Sequence, residues 1–323
     1  MNKYLFVGDM HWRKTSPRAR IDSYGDTFKN KVKQIFEYAK LNNVEAIIHC
    51  GDLLDSWKIE ENSKMELADL LNESPVKIIN ILGNHDLPGH NIESYHRTSI
   101  RVIDALVPCM QILGENEYID LPNVRIVGQP YRTELDINGY GYMTPNELIS
   151  DKLLNIRLIH SSLMDEKIEF MTMTHVDDVI SNVDLIIAGH IHHNFGPFKR
   201  GNLTLLNPGA LMRSSASLKE IERKPQFVEL SVDENKNFEL KPILLECKPG
   251  EEVLDRSELE EAKKRKKAMN DFKATVKIEG REVKLEAEDI IRNYAKLKNV
   301  PEDIMLSAIE YLNETQSEIV SEG

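Results

Sequence analysis

Cysteine is scarce in this chain: Cys50, Cys109 and Cys247 stand far apart, with no CxxC pair. An odd, scattered set supports neither a disulfide framework nor a thiolate zinc site, and a reducing cytoplasm is the expected compartment. Long apolar runs are missing too. Nothing approaches the ~20 apolar residues of a membrane span, and no basic region leads into an apolar signal core, so neither insertion nor export is expected. Positive charge is in deficit, with 41 Lys plus Arg against 53 Asp plus Glu and a formal balance of -12. That balance excludes blanket adhesion to nucleic acid, while leaving room for a local basic groove beside a metal site built of carboxylates. Repeats and low-complexity tracts are absent as well. What remains is ordinary globular material: 41% hydrophobic and 29% charged residues over 323 positions, enough for one large domain or two modest ones.

Short apolar runs recur, and each ends in turn-type or ligand-type residues. Tyr4 to Val7 runs into Gly8-Asp9, Ala46 to Ile48 leads to Gly51-Asp52, and Val76 to Leu82 to Gly83-Asn84; Ile156 to Ile159 runs into His160, and Asp184 to Ala188 into Gly189-His190. These read as buried strands. Between them, Phe28, Val32, Ile35, Phe36 and Ala39, and later Met65, Leu67, Leu70 and Leu71, have helical spacing. Alternating strands and helices predict an α/β domain, whose ligands gather at the carboxyl ends of the strands. After Leu203 strand-like runs dominate, at Leu203 to Leu206, Pro225 to Ser231 and Phe238 to Leu245, and Lys248-Pro249-Gly250 reads as a boundary. Beyond it, Arg256 to Asn270 is a charge-dense helix carrying the exposed run Lys263 to Lys267. Thr275 to Leu285 alternates as a hairpin would, and Ala287 to Leu297 and Glu302 to Leu312 read as amphipathic helices. The expected division is 1–215, 216–250 for closing strands or a small cap, and 251–323 for a mainly helical C-terminal module.

The polar clusters gain meaning together. Asp9-Met10-His11 sets a carboxylate and an imidazole on one side of an extended backbone, yet alone it is an everyday loop pair. Gly51-Asp52 alone is a turn, and His160 alone a partly buried histidine. Gly83-Asn84-His85-Asp86 holds more polar residues than a turn requires, and the two histidines of Gly189-His190-Ile191-His192 have a common metal-ligand spacing. Combined, Asp9, His11, Asp52, Asn84, His160, His190 and His192 end five successive strands and can converge on one crevice. They are too many for one tetrahedral ion and suit two cations sharing a bridging carboxylate; without thiolate, Mn, Fe or Zn is favoured.

These blocks resemble the signature of the metallophosphoesterase superfamily, the calcineurin-like binuclear phosphoesterases: DxH, GD, GNHD, H and GHxH, in that order. The resemblance implies a two-sheet β-sandwich flanked by helices. It implies that Asp52 bridges two divalent cations, that one is also held by Asp9, His11 and His192, and that the other is held by Asn84, His160 and His190. Manganese is the cation most expected, with Fe, Zn or Mg as alternatives. His85 would protonate or stabilise the leaving oxygen, with Asp86 orienting its imidazole.

Within that superfamily the chain is similar to the SbcD-type nuclease subunit of the double-strand-break repair and recombination exonuclease and its bacteriophage relatives. The similarity rests on Val7-Gly8-Asp9-Met10-His11-Trp12, Gly51-Asp52-Leu53-Leu54-Asp55, Gly83-Asn84-His85-Asp86 and Asn207-Pro208-Gly209-Ala210-Leu211. Asp55 departs from archaeal and eukaryotic relatives, which carry histidine there, so no role of that histidine transfers. The implied activity is DNA exonuclease with some single-strand endonuclease action. The implied partners are DNA, a coiled-coil ATPase of the SbcC kind and a second copy of the chain, with no membrane. Arg13, Lys14, Arg18 and Arg20, following His11, are candidate contacts to a DNA backbone. Trp12 and Trp57 are candidate stacking residues, and His193 is read as a neighbour of the site rather than a ligand. His49, His90, His96 and His175 receive no role. Ile290, Ile291, Tyr294, Leu297, Ile304, Ile309 and Leu312 mark apolar helix faces that could dock the ATPase. Two other readings stand beside this one: a metallophosphoesterase acting on nucleotides or phosphoproteins, and a non-catalytic scaffold of the same fold.

Overall fold

The computed structural model describes residues 1–168, 172–278, 287–298, 300, 304–306, 308 and 309. The chain divides into two compact units, Met1–Leu259 and Glu260–Gly323. In the first, β1 (Asn2–Val7), α1 (Tyr24–Leu41), β2 (Ala46–His49), α2 (Glu61–Asn72), β3 (Lys77–Asn80), α3 (Ser99–Leu106) and β4 (Met110–Ile112) follow one another. Next come β5 (Tyr118–Leu121), β6 (Val124–Gln129), β7 (Leu154–Ser161), β8 (Leu163–Met164), β9 (Thr174–His175), β10 (Leu185–His190), β11 (Phe195–Arg200) and β12 (Leu203–Asn207). The unit closes with α4 (Leu218–Glu222), β13 (Gln226–Val232), β14 (Phe238–Leu244) and α5 (Gly250–Val253).

Two mixed six-stranded sheets result, in the orders β14-β13-β1-β2-β3-β4 and β11-β12-β10-β7-β6-β5. β1 to β4 are parallel to one another, as are β6, β7, β10 and β12, and antiparallel strands complete the edges. Side chains alternate between the two faces of each strand with a period of two, and the central strands are buried on both. Tyr4, Phe6, Ala46, Ile48 and Ile79 meet Ile126, Ile156, Leu158, Leu185 and Ile187 between the sheets. Leu5, Val7, Ile47 and Ile78 turn to the helices, packing with Phe28, Val32, Ile35, Leu67 and Ile103. Strands covered on both faces are predominantly apolar, and the polar groups inside them, such as Arg157 and Asn80, are buried.

The helix α1 shows how local signals cooperate. Ser23 caps it by accepting from the Asp26 N–H, and Asp26 lies at the positive end of the helix. Its buried stripe includes Phe28, Val32, Ile35 and Ala39, and burial of each large side chain is worth about 1.5–3 kcal/mol. In α2 the expected stripe is corrected at one place. Met65 is exposed and Ser63 and Lys64 are buried instead, because the apolar face runs through Leu67, Leu70 and Leu71.

In the C-terminal part, α6 (Ser257–Ile278) and α7 (Ala287–Lys298) are helical. The hairpin expected over Thr275 to Leu285 is therefore corrected as far as Ile278, where the helix continues; the rest of it lies outside the described residues. Strand-like alternation in Thr275-Val276-Lys277-Ile278 is too short to outweigh the helix-forming residues that precede it. Lys263 to Lys267 are exposed. Ile304 is exposed and Ile309 buried, while Leu312 lies outside the described residues, as do the side chains of Ile290 and Leu297. No described helix is long and apolar enough to cross a membrane.

Candidate metal centre

The carboxyl ends of β1, β2, β3, β7 and β10 bring together the side chains singled out in the sequence. Asp9, His11 and His192 present ligand atoms within 4.8 Å of one another, and so do Asp52, His160 and His190. A third group of the same kind, His11, Asp52 and His85, joins the two. Asp52 Oδ2 stands 3.8 Å from His11 Nε2 and 3.4 Å from His160 Nε2. Asn84 Oδ1 lies 3.1 Å from His160 Nε2, and His11 Nε2 is 2.9 Å from His192 Nε2. So many acceptor atoms at such separations, all oxygen or nitrogen, fit a pair of divalent cations better than a hydrogen-bond network, which would need a donor for each acceptor.

The fold spends backbone strain to hold this arrangement. His11, Asp52 and His190 have φ of 51°, 55° and 88°, in the left-handed region that non-glycine residues avoid. Neighbouring groups aim each ligand. The His190 N–H donates to Asp9 (2.9 Å), the His85 N–H to Asp52 Oδ1 (2.8 Å), and His160 Nδ1 pairs with the Cys50 carbonyl (2.8 Å), which turns Nε2 inward. A Cβ on Gly189 would fall 2.3 Å from the Cys50 carbonyl oxygen and 2.9 Å from Asp9 Oδ1. Gly189→Ala should therefore cost about 1–3 kcal/mol through overpacking and lower metal retention, as read by thermal unfolding and metal analysis; a variant matching the parent in both would contradict this packing.

Charge is balanced locally. Burial raises Asp52, but the charge and hydrogen bond of His160, with His11 and His85, outweigh it and hold the carboxyl well below its usual range. Burial lowers His160, and Asp52 and Asp9 more than restore it, to about 9. Burial brings His11 to about 3 against the pull of Asp52, and burial with the charge of His160 does the same to His190. Neutral imidazoles of that kind are ready electron-pair donors.

Beneath the centre runs a strap unforeseen in the sequence. Ala210 N–H donates to the His192 carbonyl (3.0 Å) and Leu211 N–H to the Asp9 carbonyl (2.8 Å). Four successive carbonyls of the strap are each taken by a cationic side chain. Arg223 reaches those of Ala210 and Met212, Lys31 that of Leu211 (2.7 Å), and Arg20 that of Arg213 (3.0 Å). Lys31 lies in the buried stripe of α1. Burial, reinforced by Arg223, Arg213 and Arg20 and opposed by Cys247, lowers its ammonium to about 7. The unfolded chain keeps that proton up to the ordinary lysine value, so above pH 7 it binds more protons than the folded chain, and stability from this group rises with pH. Compared with Lys31→Met, the parent should gain on the order of 2–3 kcal/mol in urea unfolding between pH 6.5 and 9.5; a difference flat in pH would refute this.

Three sequence readings are corrected here. Arg20, a candidate backbone contact in the sequence, is not a surface cation: its side chain is 1% exposed, clamps Asp22 through two bonds and feeds the strap. Asp86 does not orient His85. Its carboxylate, raised to about 7 by burial and then by Asp52, accepts from the Leu54 and Gly83 N–H groups and ties the two ligand loops together. The Asp55 carbonyl holds His85 Nδ1 instead, at 2.9 Å. Trp12 is fully buried against Phe28 and donates to Ser63, so it is closed to nucleobases. Of the remaining basic residues, Lys14 and Arg18 are exposed, and Arg13 pairs with Asp55. His193 lines a groove with Glu166, Lys219 and Arg223. Tyr131, which no pattern marked, stands beside His160 and His190.

The profile of the family described as calcineurin-like phosphoesterase matches residues 3–194, which contain all these ligand positions. No curated protein matches the chain. Among solved structures, the calcineurin-like phosphoesterase YfkN from Bacillus subtilis is 13% identical, with a TM-score of 0.44 over 79% of this chain and 92% of that one. The NAD nucleotidase NadN from Haemophilus influenzae is also 13% identical, with a TM-score of 0.41 over 76% of this chain and 50% of that one.

Proposed function

The chain belongs to the calcineurin-like phosphoesterase family, whose members hydrolyse phosphoesters with a pair of metal ions, and on that premise we propose that it cleaves DNA phosphodiester bonds. The observation that carries the reading is the convergence of Asp9, His11, Asp52, Asn84, His160, His190 and His192 around one shared carboxylate, with His85 exposed beside it. Asp52 would bridge, with Asp9, His11 and His192 on one side and Asn84, His160 and His190 on the other. Bound there, divalent cations, Mn foremost, supply acidification of an attacking water and neutralisation of phosphate charge.

The chain's own residues do the rest. His85, aimed by the Asp55 carbonyl, presents Nε2 to a departing sugar oxygen and gives it a proton. Asp52 is turned toward the crevice by the His85 amide, so one residue serves both the bridge and the leaving group. Asp86 fixes the loops that carry them. Arg13, joined through Asp55 to the His85 side of the crevice, with Lys14 and Arg18, would place the DNA backbone.

The SbcD-like blocks favour an exonuclease with single-strand endonuclease activity in repair or recombination, working as a homodimer with an SbcC-like ATPase that docks on the C-terminal module, in the cytoplasm. The test is digestion of end-labelled linear DNA with Mn, Mg or chelator. Shortening with Mn, abolished by chelator, is expected. Hydrolysis of nucleotides or phosphopeptides alone would move the substrate to the first alternative, and cation binding without hydrolysis of any substrate would leave a scaffold.

A further inference from the structure

Two rings at the mouth of the centre have no part in holding cations. Tyr131 follows β6, and its N–H donates to the Leu82 carbonyl at the end of β3 (2.9 Å), which anchors it across the crevice. Its ring centroid lies 5.8 Å from that of His190 and 6.2 Å from that of His160. His90 also packs against it, perpendicular, at 5.7 Å and 81°. His90 is exposed, and it is delivered there by two successive left-handed residues, Gly89 (φ 59°) and His90 itself (φ 60°). Strain at an exposed, non-glycine position is kept only where something holds or uses it.

The perpendicular planes of half-buried Tyr131 and exposed His90 form an aromatic corner adjoining the Asn84, His160 and His190 side of the centre. We infer that this corner is a nucleobase subsite, in which the base next to the scissile phosphate, splayed from its neighbours, stacks on Tyr131 with its edge against His90. The inference rests on the DNA reading above and adds to it that the substrate must be unstacked at the cut. Base-on-aromatic stacking tolerates any base, so the subsite would hold the strand without reading its sequence. It also favours a nucleic acid over a phosphoprotein, whose flanking side chains offer no ring at a fixed distance from the phosphate.

The test uses a fluorescent hexanucleotide and its counterpart with an abasic nucleotide at the cut position. Hydrolysis is followed in the parent with Mn, and binding by anisotropy in a His85→Ala background, whose turnover of the strand is slowed enough to read binding first. Tyr131→Ala should raise KM and the dissociation constant about tenfold on the complete strand, with kcat changed much less. The abasic strand should weaken binding to the parent by a similar factor, and the variant should add no further loss on it. Tyr131→Phe should restore tight binding, since stacking needs the ring and not the hydroxyl. Equal loss on both strands, or no loss on either, would overturn the subsite while leaving the nuclease reading intact. If the parent neither binds nor cuts either strand, the DNA reading fails and the subsite with it.

Discussion

Asp52→Asn should leave the purified protein with at most one divalent cation per chain and reduce hydrolysis by at least about a thousandfold. The reason is geometric. Asp52 Oδ1 already accepts the His85 N–H at 2.8 Å, and Oδ2 faces His11 and His160. An amide has one acceptor oxygen where the carboxylate has two. If its oxygen stays with the His85 N–H, an NH2 group points at the cations; if it turns round, two N–H groups collide and the loop of Gly83 to Asp86 is displaced. Metal analysis after Mn loading and dialysis, with hydrolysis on the same sample, decides the matter. Two cations retained per chain would remove Asp52 from the bridging role.

His85→Ala is expected to separate what Asp52→Asn joins. The Asp52 contact is made by the backbone N–H of residue 85 and survives the substitution. The His85 side chain is exposed, hydrogen-bonds the Asp55 carbonyl and touches the His11 ring by its edge, so folding and cation content should stay close to the parent's. Turnover should fall by about 10²–10⁴, the range ascribed to a positioned general acid. The fall should be steepest for substrates whose leaving group is a poor one, such as a deoxyribose alkoxide. A nitrophenolate leaves unaided and should be hydrolysed nearly as before. Equal losses on both would show that His85 acts on the attacking side or on the phosphate instead of the leaving oxygen.

The site and the sheets were legible for one physical reason. Strands buried on both faces are predominantly apolar, so the polar residues that close each run stand out: Gly8-Asp9 after Val7, His160 after Ile159, Gly189-His190 after Ala188. What holds the ligands was less visible. Lys31 lies three residues after Phe28 and four before Ile35, on the apolar stripe, yet among Lys29 and Lys33 it reads as solvated surface. Arg20 sits in a basic stretch whose other members are exposed or half-exposed, and nothing in composition separates it from them. Asp86 follows His85 directly, which invites pairing, but consecutive side chains diverge and its carboxylate turns back to its own loop. Tyr131 follows Gln129-Pro130, where no periodicity exists to mark it; only pairing of β6 beside β7 brings it to the histidines.

The strap of Ala210 to Arg213 bears on how a long polymer could reach the centre. With each of its four carbonyls bound by a buried cationic side chain and the Ala210 and Leu211 amides bound to the His192 and Asp9 carbonyls, the floor would have to break several bonds to open. Entry and exit must then belong to the rim, where His85, His90 and Tyr131 stand, and the floor's amide protons should be among the slowest in the chain to exchange with deuterium. Were the substrate the DNA strand proposed above, the rim could release and regrip it after each cut while the bed beneath stays fixed.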